Sequence, residues 1–149
     1  MTFPAELDIE LASIDDCDSI ARLHAKSWKD AYRGMLTDHY LDFEVDDDRI
    51  MIWRDRFAKP KYNQRVICCR RGRDIVAFAC AFFCDDDEYG TFIDNLHVLT
   101  EFRSRGVGAA LVREVIKASV ETYSESRVFL WVCLLCTSDA ADDTPCVDL

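Results

Sequence analysis

The chain has 149 residues, 50% of them hydrophobic and 31% charged, which suits one globular domain with a buried core. Its formal net charge of −10 argues against nucleic acid as a partner and favours cationic over anionic acceptors. No apolar stretch has the length of a membrane span, and the N-terminal residues lack the basic start and apolar centre of a signal peptide. A cytoplasmic protein with no membrane partner is therefore predicted.

The first half of the chain predicts one strand followed by two helical regions. Alternating apolar residues over 7–14 are typical of a strand. Residues 15–32 change to helical spacing, with Asp15 or Asp16 as the N-cap. A second, broken helical region spans residues 37–58.

The second half predicts three strands, at residues 65–71, 74–83 and 91–99, and their short connections favour an antiparallel meander. Four cysteines in these strand-like runs are interpreted as small, reduced core residues: Cys68, Cys69, Cys80 and Cys84. A helix beginning near Gly106 and a last strand over residues 127–132 complete the order β-α-α-β-β-β-α-β. This order predicts an α/β fold with a mixed, mostly antiparallel sheet flanked by helices.

The stretch from Arg103 to Gly108, with sequence RSRGVG, lies between a predicted strand and a predicted helix, an arrangement that can bind an anion. Free N–H groups and the helix dipole favour negative charge at a helix N-terminus. Gly106 and Gly108 let a phosphate approach the main chain, and Arg103 and Arg105 add charged donors. The Lys-Ser/Thr of a Walker loop and the third glycine of a dinucleotide fingerprint are missing. The alternative is a closely packed helix start without a ligand.

These residues match the Gln/Arg-x-x-Gly-x-Gly/Ala pyrophosphate loop of the GNAT family of acetyl-CoA-dependent N-acetyltransferases. The preceding IDNLHVLTEF resembles the fourth strand of that family, SWKDAYRGML resembles the joint between its first two helices, and the element order is the same. The resemblance covers residues 7–132. It implies an enzyme that transfers acetyl from acetyl-CoA to a primary amine by direct attack.

The resemblance also assigns roles to individual residues. The amides of residues 104–109 would bind the pyrophosphate, and the backbone of residues 95–98 would pair with the pantetheine arm. A backbone N–H near Leu96 or Val98 would stabilise the oxyanion. The expected coenzyme-binding residues are Leu96, His97, Val98, Arg103, Ser104, Arg105, Gly106, Val107, Gly108 and Ala109, and no metal is expected.

Asp94 is the predicted general base, because an alkylammonium is only about one part in 10³ to 10⁴ neutral at pH 7. Strand alternation places Asp94 on the face of Leu96 and Val98, an unusual setting for a carboxylate. It places His97 on the opposite face, from which only a bulge would redirect it. Many relatives carry a glutamate two positions before Asp94, where this chain has Phe92. The alternative is a hydrogen-bonded structural carboxylate at Asp94.

Trp28 and Tyr32, one helical turn apart, are the predicted lining of the acceptor pocket, with core packing as the alternative. The acidic residues 85–88 are interpreted as a solvated turn rather than as an attractor for a cationic acceptor. The identity of the acceptor, a small-molecule or peptide amine, stays open because the fold does not choose among substrates. A homodimer is one option for the oligomeric state.

Residues 133–149 depart from the preceding pattern and contain no Lys, Arg or aromatic residue. They resemble translated sequencing-adapter DNA, so residues 1–132 are predicted to be a domain that lacks the family's last helix and two strands. The CxxC pair Cys133 and Cys136 has no second ligand pair for zinc. Weak or no turnover is expected from such a chain, because in the family the missing last helix carries the tyrosine that often protonates the departing thiolate. The rival function is a non-catalytic acyl-CoA-binding module of the same fold.

Overall fold

A five-stranded sheet organises the protein, whose computed structural model describes residues 3–131. The strands lie across the sheet in chain order: β1 (Leu7–Leu11), β2 (Gln64–Arg71), β3 (Asp74–Asp86), β4 (Gly90–Val98) and β5 (Val128–Phe129). Neighbours from β1 to β4 are antiparallel, whereas β5 runs parallel to β4. The helices are α1 (Cys17–Ala31), α2 (Asp38–Phe43), α3 (Val45–Ala58) and α4 (Val107–Tyr123). The predicted fold class is confirmed.

The elements differ from the prediction mainly at their ends. β1 stops at Leu11 because the residues after it form a 3-10 turn, Ile14–Asp16. The broken helical region is two helices, and Thr37 caps the first of them by accepting a hydrogen bond from the Tyr40 N–H at 3.2 Å. The predicted last strand pairs with β4 only through Val128–Phe129 within the described residues. Residues 133–149, predicted to be a non-native tail, lie outside the described part.

Helices cover both faces of the sheet, which explains why β3 has no polar alternation. Residues 76–83 of β3 are all buried, as expected for a central strand packed on both sides. On one face, Leu111 and Val115 of α4 join the core of the sheet. On the other, Ile20 of α1 and Trp53 of α3 pack around Phe78. No helix within residues 3–131 is long and apolar enough to cross a membrane.

Three of the four cysteines interpreted as core residues are buried, and the fourth is not. Burial raises the pKa of the Cys68 and Cys69 thiols to about 11 and that of Cys80 to about 12, so all three stay protonated. Cys84 is exposed, which corrects the prediction for this residue. It lies beyond the covered part of β3, where the strand continues toward a solvent-exposed hairpin turn.

The junction between β4 and β5 depends on a close backbone approach at Gly90. Gly90 has a φ of 87°, and a Cβ built there would lie 2.4 Å from the carbonyl oxygen of Arg127. That oxygen accepts the Thr91 N–H at 2.9 Å, the first hydrogen bond between the two segments. Gly72 also has a positive φ, 62°, but a Cβ there would meet nothing within 4 Å.

Substituting Gly90→Ala is therefore expected to destabilise the protein more than Gly72→Ala. Both variants place a side chain at positive φ, which costs about 1 kcal/mol of unfolding free energy. Only Gly90→Ala adds the clash, with about 1–3 kcal/mol of further loss. Urea unfolding of both variants measures the difference. Equal losses would show that the approach of Arg127 to Gly90 is not a constraint in solution.

Candidate active site

A β-bulge in β4 determines which side chains face which helix layer. Asn95 lies opposite Cys80 and Ile93 lies opposite Ala81, so Asp94 has no partner residue on β3. One extra residue shifts the alternation of side chains along a strand. Ile93, Leu96 and Val98 consequently pack in the core beneath α4. The side chains of Asp94 and His97 line a cavity on the opposite face, beside α1 and α3.

Two predictions from strict alternation are therefore wrong. Asp94 does not share a face with Leu96 and Val98, and His97 does not lie opposite Asp94. The sequence does contain a signal for the bulge, but it is missed when the strand is assumed to alternate strictly from residue to residue. Ile93 and Leu96 are core residues three positions apart, separated by two consecutive polar residues, and an unbulged strand would require an even spacing.

The cavity has a volume of about 360 Å³. Side chains from α1, α3, β4 and the segments after α1 and β5 line it: His24, Ser27, Trp28, Ala31, Tyr32, Arg49, Ile52, Arg56, Asp94, Asn95, His97 and Trp131. The predicted acceptor-pocket residues Trp28 and Tyr32, whose rings lie 5.2 Å apart, thus share one cavity with the predicted base Asp94. The structure brings together residues that are more than sixty positions apart in the sequence.

Several lining residues have no role in the sequence-based prediction, above all Arg49 and Arg56. They are seven residues apart, which is two helical turns, so both lie on one side of α3. That spacing of two arginines on a helix is the signal that identifies them. Trp131 has no comparable signal, because only the position of β5 beside β4 brings it to the cavity.

Arg56 holds the polar residues of the bulge in place. Its Nη2 donates to Asp94 Oδ2 at 2.6 Å and its Nη1 donates to Asn95 Oδ1 at 2.7 Å. Both partners of the ion pair are partly buried, with 27% of the Arg56 side chain and 28% of the Asp94 side chain exposed. Within residues 3–131, no side chain or N–H group donates to Asp94 Oδ1. Asp94 is thus a structural ion-pair partner that keeps one oxygen available.

Two histidines in contact form the floor of the cavity, and both are neutral at pH 7. The rings of His24 and His97 lie 4.5 Å apart, and His24 Nδ1 accepts a hydrogen bond from Trp53 Nε1 at 2.9 Å. Burial, followed by the charges of neighbouring groups, lowers the pKa of His24 to about 2. Burial and the charges of Arg103 and Arg49 lower the pKa of His97 to about 4.

The edge of β4 that faces β5 is open next to this cavity. β5 pairs only with Thr91 and Phe92, so residues 93–98 have no strand partner on that side in the described part of the chain. Leu99 N donates to Val76 O at 2.9 Å across to β3. Antiparallel alternation therefore directs the N–H groups of Leu96 and Val98 to the open edge. The same alternation directs the N–H of His97, predicted to bind the coenzyme, toward β3.

The predicted anion loop connects β4 to α4 through two left-handed residues. Ser104 has a φ of 62° and Gly106 a φ of 81°, and α4 begins at Val107. No side chain caps this N-terminus, so the first N–H groups of α4 remain available to an anion. Arg105 is exposed, while Gly108 is buried and Ala109 partly buried. These features fit a pyrophosphate.

Arg103 turns back from this loop toward β4. Its Nε donates to the carbonyl oxygen of Val98 at 3.2 Å, so part of its guanidinium is engaged by the main chain of β4. Phe102, the buried residue before it, lies beneath the guanidinium of Arg105 at 5.5 Å from the ring centroid. The loop is therefore anchored to the sheet on one side and open on the other.

Comparison with known proteins identifies the family. The acetyltransferase (GNAT) family matches residues 25–140, which is more than half of the chain. The chain belongs to this family. As a GNAT protein it is an acetyl-CoA-dependent N-acetyltransferase, with acetyl-CoA as its co-substrate. The match ends inside residues 133–149, whose interpretation as a non-native tail stays a prediction. Among curated proteins, no sequence matches the chain.

Solved structures with the same fold include other N-acetyltransferases at low sequence identity. The PaiA N-acetyltransferase from Thermoplasma acidophilum in complex with coenzyme A is 14% identical at a TM-score of 0.65, covering 77% of this chain and 72% of that one. The aminoglycoside N-acetyltransferase AAC(6')-Iy in complex with CoA is 16% identical at a TM-score of 0.65, and the alignment covers 90% of this chain and 82% of that one. A ribosomal-protein-alanine N-acetyltransferase from Brucella melitensis is 17% identical at a TM-score of 0.62, with 87% and 81% covered.

The neutral histidines make the stability of this GNAT protein dependent on pH. Their pKa values are lower in the folded state than the reference value of 6.5, so the unfolded chain binds more protons below that pH. The free energy of unfolding is expected to fall between pH 6.5 and pH 5, by about 1.4 kcal/mol per pH unit for each fully shifted imidazole.

Substituting His97→Asn should reduce this pH dependence, because one of the two buried imidazoles is lost. His39→Asn, at an exposed histidine outside the cavity, is the matched control for the substitution itself. Urea unfolding at pH 7.5, 6.5 and 5 measures both slopes. A wild-type stability that stays constant over this range would contradict neutral, buried imidazoles.

Proposed function

We propose that this acetyltransferase transfers acetyl from acetyl-CoA to an amine bound in the cavity between α1, α3 and β4, by direct attack in a ternary complex. One observation carries the proposal. The bulge in β4 brings two proton acceptors, Asp94 and His97, to the cavity wall beside the open edge of the same strand. An amine in the cavity would then lie next to a thioester held along that edge.

The coenzyme would occupy the open edge and the loop. The N–H groups of Leu96 and Val98 face the open edge and can pair with the pantetheine arm, and one of them can stabilise the oxyanion on the thioester carbonyl. The amides of residues 104–109 and the side chain of Arg105 would bind the pyrophosphate. The coenzyme A thiolate, with a reference pKa near ~8.5, can leave without a strong acid.

Asp94 would take the proton that the acceptor ammonium loses before or during attack. The available Oδ1 suits this role directly or through one water, while the Arg56 contact to Oδ2 fixes the orientation of the carboxylate. His97, which is neutral at pH 7 and lines the same cavity, is the second candidate. The amine lone pair forms the N–C bond to the acyl carbon, the C–S bond breaks, and the pair of electrons leaves on sulfur.

The size of the cavity supports a small amine, because about 360 Å³ is near the lower end of ligand pockets. The acceptors named for the similar structures are amines of different sizes. One structure holds AAC(6')-Iy with a bisubstrate analogue, CoA-S-monomethyl-acetylneamine, and another is a ribosomal-protein-alanine N-acetyltransferase. A small-molecule amine or the end of a peptide is therefore the proposed acceptor.

Asp94→Asn is expected to lower kcat for amine acetylation about 10²- to 10⁴-fold, because asparagine cannot accept the proton. Its Oδ1 can still accept from Arg56, so the affinity for coenzyme A should not change. Asp55→Asn, an exposed position on α3, is the matched control and should keep full activity. Mass spectrometry of the acetylated amine detects even slow turnover.

His97→Asn separates the two candidate bases in the same assay. If His97 is the base, this variant rather than Asp94→Asn loses kcat. Turnover that both variants retain in full would contradict a base role for either side chain. A wild-type chain that binds acetyl-CoA but acetylates no amine fits the expected lack of the family's last helix, and it also fits the non-catalytic acyl-CoA-binding module, in which Asp94 is a purely structural partner of Arg56.

Arg105→Gln is expected to weaken coenzyme A binding about tenfold, because the variant loses one charge-assisted contact to the pyrophosphate. The exposed Arg113 on α4 lies outside the loop, and Arg113→Gln should leave the dissociation constant unchanged. Isothermal titration calorimetry with coenzyme A measures both. An Arg105→Gln variant that binds as tightly as wild type would remove this side chain from the proposed site.

A further inference from the structure

The lining residues of the cavity that the structure describes carry more positive than negative charge, opposite in sign to the whole protein. Two arginines line it, Arg49 and Arg56, against one carboxylate, Asp94. The ion pair between Arg56 and Asp94 neutralises both of these groups. His24 and His97 are neutral. The charge of Arg49 is therefore not neutralised by another described lining residue, although the formal net charge of the whole protein is −10.

Arg49 has a hydrogen-bond partner in the Tyr40 hydroxyl but no carboxylate partner within the described part of the chain. Its Nε is buried and has no hydrogen-bond partner among the described residues. The guanidinium lies over the Trp28 ring, 4.2 Å from the ring centroid, which fixes it against the cavity wall. No carboxylate of residues 3–131 forms an ion pair with it. Asp48 is linked to it only through the Tyr40 hydroxyl, which donates to Asp48 at 2.8 Å.

An arginine that lines a cavity without an anionic partner has an uncompensated charge, and an anionic group of a bound ligand would compensate it. A carboxylate suits the planar guanidinium because it can accept two parallel hydrogen bonds. A second ammonium group on the ligand would instead be repelled by Arg49. The local charge of the cavity thus outweighs the net charge of the protein, from which cationic acceptors were expected.

We infer that the acceptor is a small amino carboxylate, and that Arg49 binds its carboxylate while its amine lies at Asp94 and His97. This inference rests on the proposed function for the identity of the reacting group. Arg49 and Arg56 are separated by roughly 10 Å along α3, from seven residues at 1.5 Å each. Arg56 marks the position of Asp94, so an acceptor with several bonds between amine and carboxylate fits best. Trp28 and Ile52 provide apolar surface for its methylene groups.

The test compares three acceptors of equal chain length: 5-aminopentanoate, pentylamine and 1,5-diaminopentane. The wild-type chain is expected to show a kcat/KM for 5-aminopentanoate about 10- to 100-fold above the values for the other two acceptors. A single charge-assisted hydrogen bond to the carboxylate would account for a difference of this size. Arg49→Gln should abolish this preference and leave the KM for acetyl-CoA unchanged. Arg54→Gln is the control, because Arg54 lies on the same helix but pairs with Asp18 outside the cavity.

A binding measurement keeps the inference independent of turnover. Isothermal titration calorimetry of 5-aminopentanoate and pentylamine into the protein loaded with coenzyme A should show the same preference, lost in Arg49→Gln. If this binding pattern is found but no amine is acetylated, the carboxylate site at Arg49 stands without support from turnover. A preference for the diamine, or a carboxylate preference that survives Arg49→Gln, would overturn the inference.

Discussion

The extra residue in β4 is the constraint on which the rest of the site depends. A regular strand would place the carboxylate of Asp94 among the apolar side chains beneath α4, where it would lack a partner. The bulge moves Asp94 to the face of α1 and α3 and brings His97 to the same face. It also lies where β5 stops pairing with β4. One irregularity thus combines a polar cavity with an open strand edge.

The bulge requires a polar anchor, and Arg56 provides it. One guanidinium donates to both Asp94 and Asn95, the two consecutive polar residues of the bulge, and lies over the rings of Trp53 and Phe82. This contact explains how a carboxylate is retained in a partly buried position. It also pairs the charge of Arg56, so Arg49 is the lining arginine without an ion pair among the described residues. Structure and proposed specificity therefore depend on the same pair of arginines.

Local sequence determined much of the fold because its signals are local. Alternation predicted the strands of the meander, helical spacing predicted α1 and α4, and the RSRGVG stretch predicted an uncapped helix N-terminus. The exposed Cys84 and the short β5 were not predicted, because exposure at the end of a strand depends on which neighbours cover it. Trp28 and Tyr32 were predicted as pocket residues from their spacing, and both line the cavity.

The sequence by itself predicted the order of strands and helical regions and an anion-binding loop, and it singled out Asp94 as an unusual strand carboxylate. Only the tertiary structure decided the faces of Asp94 and His97, because a bulge is defined by register against β3, which no single strand contains. It also decided the charge of the cavity. Net charge sums over the whole surface, whereas a ligand responds to the groups within a few ångströms, and the packing of α3 against α1 brings Arg49 and Arg56 to the cavity.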